Sequence, residues 1–120
     1  MHEVGIARGI LEAVCERFPD RASVRDITVR LGPFSGVEPE ALRFAFDALR
    51  TDLLTERARL VLELPPATGD CPDCGPGIPL PVPGPSCPRC RKILSAVHGG
   101  DELILASVGT AGEEATHAVE

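Results

Sequence analysis

Four of the five cysteines fall in two short pairs, Cys71-Pro-Asp-Cys74 and Cys87-Pro-Arg-Cys90, with twelve residues between the pairs. Two residues between paired cysteines let both sulfurs reach one ion from a tight turn, and two such turns close a tetrahedron of thiolates around Zn(II). Protein fills all four positions and leaves none for water, so the spacing predicts a structural zinc whose binding energy orders the segment around it. Gly75 follows the first pair, where such a turn needs a residue tolerant of positive φ. A disulfide pair and an iron site of the rubredoxin kind compete for the same four residues. Rubredoxin-like sites lean on aromatic packing, and no aromatic follows Phe46.

The other candidate ligands carry less. Cys15 falls beside Leu11 and Phe18 on an apolar helical face and reads as a small buried hydrophobe. His98 lies eight residues past Cys90, but four thiolates already satisfy zinc. His117 sits near the end of the chain and reads as solvated. The opening Met1-His2-Glu3 is more pointed, because Met before a bulky residue is expected to be retained with a free amine. That amine, the His2 amide and imidazole, and a further amide or the side chain of Glu3 can close five- and six-membered chelate rings around one ion. Deprotonated amides and imidazole in a plane suit Ni(II) or Cu(II). Taken alone, these three residues read more readily as an incidental solvated terminus than as a metal site.

The elements that position these groups follow from periodicity. Val4, Ala7, Ile10, Leu11, Val14 and Phe18 keep the three-or-four spacing of one helical face until Pro19-Asp20 breaks it. Residues 24–31 alternate, with Ile27, Val29 and Leu31 on one side, and predict a half-buried strand ending at Gly32-Pro33. Pro39 suits a first helical turn, and Leu42, Ala45, Phe46 and Leu49 predict a second helix over 38–50. Leu60, Leu62 and Leu64 predict a second strand stopped by Pro65-Pro66, and Leu103 to Val108 a third. Between the last two, residues 67–92 contain four cysteines and many prolines, and are expected to form no regular ladder of their own. The expectation is an α+β fold: a small three-stranded sheet with two helices in a domain of residues 1–66 and 93–108, a zinc-binding four-cysteine module of 67–92, and a disordered tail of 109–120.

Composition narrows the function. The 120 residues carry 12 Lys plus Arg against 18 Asp plus Glu, a formal charge of -6. Two positive charges from zinc and four negative from thiolates carry that to -8, so no nucleic-acid surface is expected. Only Arg89, Arg91 and Lys92 form a short basic cluster. No apolar run is long enough to span a membrane, the N-terminus lacks the cations of a signal peptide, and the chain reads as cytoplasmic. No phosphate loop, no nucleophile elbow and no base for Cys15 is present, so an enzyme is not expected.

Met1-His2-Glu3 opening an amphipathic helix, the stretch Gly36-Val-Glu-Pro-Glu-Ala-Leu-Arg-Phe-Ala-Phe46, the two cysteine pairs and the closing Gly100-Asp-Glu-Leu-Ile-Leu-Ala-Ser107 together resemble the HypA/HybF family of nickel-insertion proteins over residues 1–108. The resemblance implies a transient nickel site at Met1, His2 and Glu3 and a structural zinc at Cys71, Cys74, Cys87 and Cys90. It also implies a metallochaperone that delivers Ni(II) to the large-subunit precursor of nickel-iron hydrogenase with the GTPase HypB, and a part in urease maturation in some organisms. The alternative is a zinc-ribbon interaction module in transcription or assembly with no nickel role. Two departures stand out: Gly5 where the family tends to carry Ser or Ala, and a proline-rich spacer between the cysteine pairs.

Overall fold

A computed structural model describes residues 2–111 and, as backbone, 116–118. The chain folds into two compact units, one of residues 1–30, 37–63 and 104–120 and the other of 31–36 and 64–103.

The first unit begins with α1 (His2–Arg17), followed by a short 3-10 turn and β1 (Val24–Leu31). The buried residues of α1 are Ala7, Leu11 and Val14, one stripe at helical spacing. Helix α2 (Pro39–Leu53) starts where Glu38 accepts the amides of Glu40 (2.8 Å) and Ala41 (3.1 Å), and Pro39 occupies the first turn, where its missing N–H costs nothing. It buries Leu42, Ala45 and Phe46 and packs against α1. β2 (Arg59–Glu63) runs parallel to β1, so α2 is the crossover of a βαβ unit, with Ile27 beside Leu60 and Val29 beside Leu62. Ile27, Val29, Leu60 and Phe46 join the helix stripes in one core of aliphatic side chains around a single aromatic.

β6 (Leu103–Thr110) lies on the other side of β1 and β7 (Thr116–Ala118) beyond it, giving a sheet of order β2-β1-β6-β7. The three expected strands are therefore adjacent. Within the stretch expected as a disordered tail, Gly109 and Thr110 continue β6, and residues 116–118 form β7, paired antiparallel to it. Arg43 and Arg50, seven residues apart on α2, donate to the carbonyl of Leu60 in β2 (2.9 Å) and to that of Ala58 just before it (3.0 Å).

In the second unit, β3 (Thr68–Cys71), β4 (Gly75–Pro79) and β5 (Ala96–His98) form a separate three-stranded sheet of order β4-β3-β5, antiparallel throughout. This corrects the expectation that the proline-rich segment forms no ladder. Its prolines are tolerated because β4 is an edge strand, where a missing N–H can face away from the sheet, and the long proline run lies beyond it. The core is small: Ala67, Cys71, Ile78, Leu80, Cys87 and Leu94, with Phe34 and Cys74 packed against it. At Gly69 a Cβ would sit 2.8 Å from Leu94 Cδ1, so any side chain there would have to displace Leu94. Among the described residues no helix is long and apolar enough to cross a membrane.

Candidate metal centres

The four cysteines converge in the second unit. Cys71 ends β3, and Gly75, at φ 107°, turns the chain back into β4 and sets Cys74 beside Cys71. The second pair is built without strands. Cys87 N donates to Lys92 O and Arg91 N to Cys87 O, both at 2.8 Å, while Leu94 N donates to Pro85 O at 2.8 Å, which closes a loop around Cys87 and Cys90. Arg91 occupies the place that Gly75 holds in the first knuckle, directly after the second cysteine, and also has positive φ, 70°. The equivalent turn therefore recurs where sequence offers no glycine.

All four sulfurs lie within 4.8 Å of one another, and those of Cys71 and Cys90 are 3.5 Å apart. A tetrahedron of about 2.3 Å zinc–sulfur bonds has edges of about 3.8 Å, so the quartet fits one ion with little movement. Exposure divides it. Cys71 (4%) and Cys87 (1%) belong to the unit's core, whereas Cys74 is half-buried and Cys90 exposed. The thiols also titrate apart. Backbone amides, that of Cys90 foremost and then that of Arg89, bring Cys87 down to about 7, and its hydrogen bond with Cys90 pushes Cys74 up to about 12. A dication taken up here must expel protons, so affinity falls as pH drops.

The surrounding polar groups were not legible from spacing. Asp70, one residue before Cys71, accepts Ser95 N (2.8 Å) and Ser95 Oγ (3.1 Å) on its carbonyl. Its carboxylate accepts Gly77 N (3.2 Å) and meets His98 Nε2 at 2.9 Å, so one residue ties all three strands of the small sheet. The His98 hydrogen bond is the main reason the Asp70 carboxyl is held below its ordinary value. His98 is thus engaged with Asp70 and is not one of the converging metal-ligating groups. Asp73, inside the first pair, makes an ion pair with Lys92, just past the second.

At the other candidate site, Met1 lies outside the described residues. His2 and Glu3 form the first turn of α1, and the His2 side chain is 60% exposed. The first N–H groups of an α-helix have no partner within the helix, so these amides are not tied into its ladder. Glu3 is held differently: its Oε2 accepts Glu38 N at 3.3 Å, reaching the start of α2, and its Oε1 lies 3.7 Å from His2 Nδ1. Its own backbone amide, then that of Glu38, keep its carboxyl below the ordinary range. Cys15 is half-buried, with its thiol donating to Leu53 O at 3.1 Å, a packing role in α1.

Comparison with known proteins matches the chain over residues 1–110 to the family described as HypA, hydrogenase/urease nickel incorporation, metallochaperone. The protein called hydrogenase maturation factor HypA in Geobacter metallireducens is 38% identical over 103 residues, 86% of this chain and 93% of the relative. The protein of that name in Pelodictyon phaeoclathratiforme is 34% identical over 110 residues, 90% and 94% of the two chains. The solution structure of the nickel metallochaperone HypA from Helicobacter pylori shares the fold, with a TM-score of 0.56 at 21% identity, over 92% of this chain and 98% of that one.

Proposed function

The chain belongs to the HypA family of metallochaperones, which are carriers rather than enzymes, and from that membership we propose that it transports Ni(II) on its first three residues. The acceptor is the large-subunit precursor of nickel-iron hydrogenase, with the GTPase HypB as partner and the cytoplasm as the compartment. Where urease is made, urease maturation proteins are a second destination. Zinc at Cys71, Cys74, Cys87 and Cys90 is the structural cofactor.

The observation that carries the nickel reading is the placement of His2 in the first turn of α1 with its imidazole exposed. The Met1 amine, the His2 amide and the His2 imidazole supply three donors for a planar site. A fourth donor comes from Glu3, through its amide or its carboxylate, the latter now accepting its own amide and that of Glu38 at the start of α2. A site on a chain end can be invaded one ligand at a time by thiolates of an acceptor, which is what a carrier needs and a permanent cofactor site avoids. Because the amine, the amides and the imidazole must all be free of protons, loading weakens as pH falls.

The test compares native protein with a version extended before Met1 and with His2→Ala, titrated with Ni(II) by calorimetry and analysed for metal. Both altered proteins are expected to lose nickel binding while zinc stays at one per chain. Undiminished nickel binding by the extended protein would overturn the N-terminal site.

A further inference from the structure

We propose that Asp73 and Lys92 form a latch across the two cysteine knuckles that sets how fast the metal of the four-cysteine site exchanges; this rests on the zinc reading above. The quartet has an inner and an outer half. Each knuckle buries its first cysteine, Cys71 or Cys87, in the apolar core and leaves its second more accessible, Cys74 half-buried against that core and Cys90 exposed. A competing ligand can reach only the outer sulfurs without opening the core, so exchange begins when Cys74 or Cys90 swings away.

Two cross-links oppose that movement, one at each end of the site. At the inner end, Ser95 N and Oγ donate to Asp70 O. At the outer end stands the ion pair of Asp73 with Lys92. Asp73 lies between the two ligands of the first knuckle, and Lys92 two residues past the last ligand of the second. Separating Cys74 from Cys90 therefore stretches this pair. Lys92 is also fixed through its backbone, since its carbonyl accepts Cys87 N at 2.8 Å, so the cation is mounted on the turn that holds the second pair.

Electrostatics alone predicts the opposite sign for one variant, which makes the latch testable. Zinc with four thiolates carries two net negative charges, and a nearby carboxylate disfavours that complex. If only the field mattered, Asp73→Asn would slow zinc loss. With a latch, it speeds it. The pair is exposed, so the effect is modest, about two- to fivefold.

The experiment loads the full chain with zinc, confirms the metal content, and follows transfer to excess chromogenic chelator at neutral pH. Asp73→Asn and Lys92→Met are each expected to release zinc about two- to fivefold faster than the parent, the exchanged pair Asp73→Lys with Lys92→Asp to restore the parent rate, and added salt to accelerate the parent more than either single variant. Alkylation of the loaded protein, read by mass spectrometry, should mark Cys74 and Cys90 before Cys71 and Cys87. Unchanged or slower release from Asp73→Asn overturns the latch while leaving the zinc site standing, and so does first labelling at Cys71 or Cys87. A chain that takes up no zinc overturns the four-cysteine zinc reading and the latch with it.

Discussion

The two units solve the same problem with different means. The α/β unit closes a core with the aliphatic faces of two helices and a sheet around Phe46, and its candidate nickel ligands lie at a helix start, outside that core. In the cysteine unit two of the six core positions are themselves candidate metal ligands, so packing and coordination would be one thing there. A metal that is part of the core must stay, whereas one bound at a chain end can leave. On the proposed reading, burial would allot retention and release to different places before any question of ligand affinity arises.

The sharpest way to break this contrast is to attack the buried sulfur. Cys87→Ala removes a ligand and a core side chain together, and the binding energy of a structural zinc is about 10–16 kcal/mol. Loss of ordered amide signals throughout the second unit is expected, with the helical circular dichroism of α1 and α2 kept; equal damage to both units would erase the distinction. Next in size, Phe46→Ala should cost the α/β unit about 3–5 kcal/mol in denaturant unfolding while zinc content stays at one per chain. Glu38→Ala removes the cap that accepts the amides of Glu40 and Ala41 and should cost about 1 kcal/mol. The smallest effect concerns acid. The Glu3 carboxyl is held below its ordinary 4.5, so its stabilisation is complete above that value and lost as pH falls through the lowered one. Glu3→Gln should therefore flatten the acid side of the pH–stability curve followed by α-helix signal.

What sequence made legible was what repeats at fixed spacing. The stripe of Ala7, Leu11 and Val14, the alternation of Ile27, Val29 and Leu31, Pro39 at a helix start and the two cysteine pairs each state their structure within a few residues. The small sheet was hidden because Thr-Gly-Asp-Cys and Gly-Pro-Gly-Ile-Pro have no alternation to read; their pairing depends on the turn at Gly75 and on a partner strand more than twenty residues away. Asp70 with His98, Glu3 with Glu38, and Asp73 with Lys92 were invisible for the same reason, since each joins residues 19 to 35 positions apart. The last pair had one faint signal: an acid inside the first knuckle and cations clustered around the second.

The position of β6 has a consequence for synthesis. This strand pairs with β1 inside the larger sheet, yet it is encoded after the whole cysteine segment. A nascent chain leaving the ribosome exposes its first helix and two parallel strands long before their third neighbour exists, and both cysteine pairs emerge in between. A fragment ending near residue 66 would keep the candidate nickel ligands but leave β1 with an open flank, prone to pair with other chains. The larger sheet is therefore complete only when the chain beyond the cysteine segment is present.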